Sequence, residues 1–355
     1  MSQFYKLKVA EIRRETEDSV SVAFKIDNDI SSAFNYQPGQ YLTLKFLING
    51  VEERRSYSLC SSPFENELLR VAVKKVYNGK VSTYINDQLN EGDEVEVMTP
   101  QGNFKLDVSD DNEKLYVAFA AGSGITPIMS MINSVLKNET KSRFVLFYGN
   151  RSADLTIFKS QLDELSGEKF QVDYIFSREG GSDDLHTGRI DKEKANLLLR
   201  ENIDLLRAEG FYLCGPEEMI LNVTKCLDEF DVNKDKIFYE LFTTPVLFAE
   251  EKVNGKDDDN NFTGQAKIKV ICDDEEVEFE LGANDEVILE AAIEHDLDLP
   301  FSCKGGVCCT CKAKVVKGKI TMDANYALSD AEVEEGYVLT CQAHPASSNV
   351  VIDYD

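Results

Sequence analysis

"CKGGVCCTC", residues 303–311, puts four cysteines into nine positions near the end of an acidic chain. Three chemistries use thiols at this density: a disulfide staple, a zinc site and an iron–sulfur cluster. The chain holds nine cysteines in all, and its first residues, "MSQFYKLKVAEIRRETEDSV", lack the charged-then-apolar layout of a secretion signal. An odd count without such a signal is poor support for disulfides, and the expected location is the cytoplasm.

Spacing separates the other two. Cys303, Cys308 and Cys311 read C-x4-C-x2-C, and Cys341 follows after 29 residues. That is the plant-type ferredoxin spacing, in which four thiolates hold a 2Fe–2S cluster. Zinc sites more often pair two short C-x2-C hooks, and Cys341 has no second cysteine beside it. Gly305 and Gly306 let the loop curl so that backbone N–H groups point at the sulfurs. Cys309 reads as a bystander, because adjacent cysteines rarely both reach one metal. The histidines His186, His295 and His344 show no ligand spacing.

Working outward, 355 residues exceed one ordinary core and predict two or three domains. No run approaches ~18 uninterrupted apolar residues, so no membrane span is expected. A formal charge of −26 argues against nucleic acid as a partner. Residues 1–108 alternate apolar and polar, as in "SVSVAFKI" and "QYLTLKFLI", which predicts an antiparallel β-barrel. From 112 to 243 short buried strands ("KLYVAFA", "RFVLFYG", "GFYLCG") alternate with helical stretches at 126–136, 154–165 and 216–230. That alternation predicts a parallel, doubly wound α/β sheet. Residues 249–265 are rich in Asp, Asn and Gly and read as a linker. A hairpin, a helix, the cysteine loop and short strands fill 266–355.

On these residues the chain resembles a known family. The first 245 residues look like a ferredoxin–NADP reductase module, and 266–355 look like a plant-type ferredoxin domain with a β-grasp fold. Together they resemble the reductase components of multicomponent oxygenases, those of the phenylacetyl-CoA epoxidase type included. The resemblance implies an FAD domain, a nicotinamide domain and a 2Fe–2S domain in that order.

It also implies roles. In "RRSYSLCSSP" Arg55 would pair with the FAD pyrophosphate, as guanidinium suits phosphate. Tyr57 would stack on the isoalloxazine, and Ser58 would hydrogen-bond the flavin near N5. Gly79 and Ser82 open a helix-like stretch whose N-terminus is a phosphate seat or a structural cap. "AAGSGITP" brings Gly122, Gly124 and Thr126 to a strand–turn–helix turn suited to a pyrophosphate, or to packing alone. Where an NADH-type ribose contact needs an acid, "YGNRS" carries Arg151, and the next strand ends in Ser177-Arg178. These residues predict NADPH, with NADH the alternative, unless the arginines are plain surface charges. Cys214 and Gly215 would lie beside the nicotinamide, Glu240 at the flavin edge, and Phe242 over the flavin. Without the resemblance, Cys214 and Phe242 read as packing residues.

A nicotinamide gives electrons as a pair and a 2Fe–2S centre takes them singly, and a flavin can do both. The chain therefore reads as an electron-transfer reductase running from NADPH through FAD and the cluster to a separate oxygenase, a phenylacetyl-CoA-type ring epoxidase among the candidates. The same path to a desaturase, a cytochrome or another acceptor is equally compatible with these residues. A redox-sensing regulator is the third reading, and the full set of flavin and nicotinamide elements counts against it. Residues 266–355 hold 19 Asp or Glu against 7 Lys or Arg, a net −12, which predicts docking to a basic partner.

Overall fold

The computed structural model describes residues 4–64, 68–179, 184–247, 262–273 and 275–355. The N-terminal part is a six-stranded antiparallel sheet built from β1 (Phe4–Thr16), β2 (Ser19–Lys25), β3 (Tyr41–Ile48), β4 (Val51–Ser58), β5 (Leu69–Lys74) and β6 (Glu94–Met98), in the order β4-β3-β6-β1-β2-β5. A bridge between Leu59 and Val71 brings the two edge strands together. Register on β3–β4 comes from the turn. Asn49 and Gly50 both sit at positive φ (53° and 78°), as a two-residue hairpin loop of primed type requires. Ile48 therefore pairs with Val51, and Tyr41 with Ser58. Leu42, Leu44 and the other inward side chains pack one core with Ile85 of α1 (Lys80–Asp87).

The second part is a five-stranded sheet, every pair parallel. It comprises β7 (Leu115–Ala121), β8 (Arg143–Asn150), β9 (Phe170–Phe176), β10 (Gly210–Cys214) and β11 (Ile237–Glu240), in the order β11-β10-β7-β8-β9. Helices α2 (Ile125–Asn138) and α3 (Lys159–Leu165) cover one face, and α4 (Lys192–Glu201) and α5 (Glu217–Glu229) the other. Strand order reverses between β7 and β10, so the crevice at their carboxyl ends is where an open α/β sheet binds its ligand. Phe104 and Leu106 pack in this second core together with Cys60 and Ala72, so the first two units share buried surface.

One helix is shorter than the sequence suggests. Of residues 154–165 only Lys159–Leu165 are α-helical, after a 3-10 turn at Ala153–Leu155. Thr156, Ile157 and Phe158 are all buried in succession, which no single helix face can do, and Phe158 turns the chain with a left-handed φ of 62°.

The linker expected at 249–265 lies outside the described residues up to 261, and Gln265 already opens the next strand. The third unit is a mixed five-stranded sheet of β12 (Gln265–Cys272), β13 (Glu275–Gly282), β14 (Lys312–Lys317), β16 (Tyr337–Leu339) and β18 (Asn349–Asp353). Its order is β13-β12-β18-β14-β16, with β12 and β18 parallel. The sheet packs against α6 (Ile288–Glu294), the β-grasp arrangement expected of this stretch. A short ribbon, β15 (Ile320–Met322) with β17 (Ala343–Pro345), and α7 (Asp330–Glu334) complete it. No helix among the described residues is long and apolar enough to cross a membrane.

Candidate functional site

Period-two geometry puts Glu53, Arg55 and Tyr57 on one side of strand β4 and Arg54, Ser56 and Ser58 on the other. Tyr57 is half-buried against the barrel core, and burial pushes its phenol well above the usual tyrosine range. Arg55 is exposed and pairs with Glu53 at 3.2 Å, and Lys80, the first residue of α1, reaches the same carboxylate at 2.5 Å. Hydrogen bonding from Lys80 above all, with Arg55 alongside, holds Glu53 below the usual carboxylate range. Two cations thus converge at the helix start that Gly79 precedes. Glu53 and Lys80 escaped sequence reasoning, and β4 alternation with Arg55 was the signal for Glu53. Ser82 is buried, and its hydroxyl accepts from the Val76 amide at 3.1 Å, so it closes its own turn.

At the switch point Gly124 is an obligatory glycine. A Cβ there would lie 2.0 Å from the Cys214 carbonyl oxygen, so only a bare backbone lets the turn meet β10. Thr126 donates to the Ser123 carbonyl at 3.0 Å and stabilises the start of α2, and Gly122 takes φ of 54°. Arg151 and Arg178 follow β8 and β9. The Arg178 amide donates to the Arg151 carbonyl at 2.9 Å, and Ser177 donates to the Asn150 carbonyl from both its amide (2.9 Å) and its hydroxyl (3.3 Å). Both arginines and Ser177 are exposed beside one another.

Strand pairing sets Cys214 opposite Glu240. Cys214 is fully buried, which pushes its thiol up, with the nearby Glu240 carboxylate adding to the effect. Ser58 Oγ donates to Glu240 Oε2 at 3.0 Å, joining barrel to parallel sheet. Burial lifts the Glu240 carboxyl to about 8, against the lowering effect of that hydrogen bond. Ser58, Cys214 and Glu240 therefore form one neighbourhood, while Arg151, Ser177 and Arg178 stand apart at the other side of the switch point.

A cavity of about 610 Å³ opens over this neighbourhood, lined among others by Tyr41, Arg55, Ser58, Glu240, Phe242 and Cys308. The cysteine loop forms one of its walls. The Cys308 and Cys303 sulfurs are 3.1 Å apart, Cys303 also meets Cys341, and Cys341 meets Cys311. The Gly305 amide donates to Cys303 Sγ at 3.3 Å. Hydrogen bonds from Cys308 first, then Cys341, hold the Cys303 thiol low. Four sulfurs in a row, with an amide aimed at one of them, fit a two-iron cluster held by Cys303, Cys308, Cys311 and Cys341. Cys309 faces away. Its thiol donates to the Ala327 carbonyl at 3.3 Å, burial pushes it up to about 12, and its side chain packs on the ferredoxin-domain core.

The loop is seated by residues that no local motif reveals. Tyr41 OH accepts from the Cys309 amide at 2.9 Å and lies 3.3 Å from Thr310 Oγ1. Ser56 donates to Ser302 at 2.8 Å. A Cβ on Gly305 would fall 1.9 Å from Thr244 Oγ1, so the segment after β11 also presses on the loop.

Comparison with known proteins agrees with this geometry. An oxidoreductase FAD-binding domain matches residues 6–106, an oxidoreductase NAD-binding domain 119–225, and a 2Fe–2S iron–sulfur cluster binding domain 270–346. The chain is 39% identical over 358 residues to a component of 1,2-phenylacetyl-CoA epoxidase from Escherichia coli, covering 100% of this chain and 99% of that protein. It is 30% identical over 364 residues to the ferredoxin reductase component of 3-ketosteroid-9-alpha-monooxygenase from Mycolicibacterium smegmatis, covering 100% and 98%. Phthalate dioxygenase reductase shares the fold, with a TM-score of 0.59 at 24% identity over 99% of this chain and 98% of that one. The chain therefore belongs to the family of oxygenase reductase components that carry FAD-binding, nicotinamide-binding and 2Fe–2S ferredoxin domains in one polypeptide.

Proposed function

We propose that this reductase takes electrons from NADPH, passes them through FAD and the 2Fe–2S cluster, and delivers them to a separate ring epoxidase of the phenylacetyl-CoA type. The carrying observation is that one cavity is bordered both by the Ser58–Glu240 pair and by Cys303 and Cys308. A flavin bound there would receive hydride on one side and hand single electrons to the cluster on the other. Arg55, with Lys80 beside it, supplies cations for its pyrophosphate. Ser58 and Glu240 would hold a proton and a hydrogen bond at the ring edge, with Cys214 behind them packing the nicotinamide.

The NADPH preference is supported by Arg151 and Arg178, adjacent and exposed where an NADH enzyme would carry an acid. The epoxidase acceptor is supported by the full-length likeness to the Escherichia coli protein. Another oxygenase as acceptor is the second reading, since relatives at 29–30% are reductase components of ketosteroid and glycine betaine monooxygenases. The acidic ferredoxin domain would meet a basic surface on either acceptor. The reaction would run in the cytoplasm, where the five cysteines outside the cluster set stay reduced. Coupled assays decide. NADPH oxidation should drive product formation by a phenylacetyl-CoA-type epoxidase, and failure there with success on another oxygenase would move the acceptor to the second reading.

A further inference from the structure

Arg54, next to the arginine assigned to the pyrophosphate, points the opposite way along β4 and is only 4% exposed. Its Nε donates to Glu52 at 2.6 Å. Its other two donors cross to the ferredoxin domain: Nη1 to the Leu299 carbonyl at 3.0 Å and Nη2 to Asp298 Oδ1 at 3.0 Å. The guanidinium also lies 4.3 Å from the Phe301 ring centroid and 5.1 Å from that of Phe4, one ring from each domain. A buried cation is tolerated only when its donors are matched, and here the matching partners come from both sides of the domain boundary. Two residues after Phe301 comes the cluster ligand Cys303.

We infer that Arg54 is a positioning residue that pins the ferredoxin domain to the barrel and so sets the separation between flavin cavity and cysteine loop. Other hydrogen bonds across this boundary are small polar pairs, among them Ser56 with Ser302, Tyr41 with the Cys309 amide, Tyr41 and Thr43 with Thr310, and Asn103 with the Ala327 carbonyl and Glu332. Boundaries of that kind are individually weak. Arg54 is the residue that joins rings, carboxylates and a carbonyl into a single clasp. Electron passage falls steeply with distance, and each electron lost by the flavin is one gained by the cluster, so a looser clasp slows that passage without touching hydride delivery. The inference rests on flavin occupying the cavity.

The test uses Arg54→Gln, Asp298→Ala and the double variant in the full holoprotein. Two readouts are taken: hydrogen exchange of residues 298–311 in the oxidised state, and the rate of cluster reduction divided by the rate of flavin reduction under excess reduced nicotinamide. Arg54→Gln should speed exchange in 298–311 while leaving residues 115–121 of the parallel sheet protected. It should also lower the rate ratio about tenfold, as breaking a buried pair on one side would do. Asp298 is 82% exposed, so Asp298→Ala should fold normally. It should lower the ratio roughly two- to threefold, and the double variant should fall no further than Arg54→Gln alone. Unchanged exchange and an unchanged ratio would overturn the inference, as would strictly additive losses. Should Arg54→Gln fail to fold or shed its flavin, Asp298→Ala alone decides by the same two readouts. A wild-type protein with no flavin reduction at all would instead sink the proposed electron path.

Discussion

Ser58 and Glu240 stand 182 positions apart in the chain, yet Ser58 Oγ meets Glu240 Oε2 at 3.0 Å across the boundary between barrel and parallel sheet. This hydrogen bond joins the strand that would hold the flavin to the strand end paired with Cys214. Ser58→Ala should keep FAD bound and slow flavin reduction by roughly tenfold to a hundredfold, the scale of one hydrogen bond to a charged group. Rapid-mixing spectroscopy of flavin bleaching reads this directly, and an unchanged rate would remove Ser58 from the hydride step.

The same pair makes a pH prediction for the flavin-free protein. Burial lifts the Glu240 carboxyl from its ordinary 4.5 to about 8. A raised carboxyl keeps its proton in the folded chain after the unfolded chain has lost it. The folded state therefore loses stability as pH climbs between those values, and the loss is complete above about 8. The residue is only half-buried while the cavity above it is open, so bound flavin will change the size of the effect. Chemical denaturation from pH 4 to 9 should show a steeper decline for wild type than for Glu240→Gln, and identical slopes would contradict the assignment.

Arg151→Ala and Arg178→Ala should each raise KM for NADPH about tenfold and leave KM for NADH nearly unchanged, since each removes one charge-assisted contact to a 2′-phosphate. Steady-state kinetics with both nucleotides and ferricyanide as acceptor decides. No effect on either nucleotide would mean the arginines are surface charges, and equal losses on both would place them away from the 2′-phosphate.

Arg55→Ala should weaken FAD binding by about 1.5–3 kcal/mol, roughly tenfold to a hundredfold in Kd. Glu53→Gln should tighten it, because the Glu53 carboxylate competes with phosphate for Arg55 and Lys80. Flavin fluorescence titration of apoprotein reads both signs. Weaker binding in Glu53→Gln would make Glu53 a flavin ligand instead of a competitor.

Electron delivery to a basic protein acceptor should fall as ionic strength rises, because the ferredoxin domain is strongly acidic. Ferricyanide, an anion, should show the opposite trend. A flat profile with the protein acceptor would rule out charge-guided docking.

Local chemistry was legible in the sequence and tertiary docking was not. The expected cluster ligands stand out because three fall within nine residues at the plant-type spacing. Strand and helix alternation exposed the parallel sheet, and Gly124 marked the turn that must pass close to Cys214. The helix expected at 154–165 shrank because three consecutive side chains had to be buried, which a period-based reading does not register. Arg54 and Arg55 look alike in sequence, and only strand alternation together with the docked ferredoxin domain separates the proposed domain clasp from the proposed phosphate partner. Tyr41, buried at the start of β3, reads as core until the Cys309 amide is seen donating to its hydroxyl. Cys309 follows suit, for its backbone amide seats the loop while its thiol turns to the Ala327 carbonyl within the ferredoxin domain.

Cys303, Cys308, Cys311 and Cys341 are proposed to hold a 2Fe–2S cluster that is filled from reduced nicotinamide through FAD. Anaerobic titration of the purified holoprotein with NADPH, followed by absorption and electron paramagnetic resonance together with iron and acid-labile sulfide analysis, tests it most directly. About two irons and two sulfides per chain are expected, with flavin and cluster bands bleaching together and a reduced-cluster resonance appearing. Zinc in the loop, or a cluster that stays oxidised while the flavin bleaches, would contradict it.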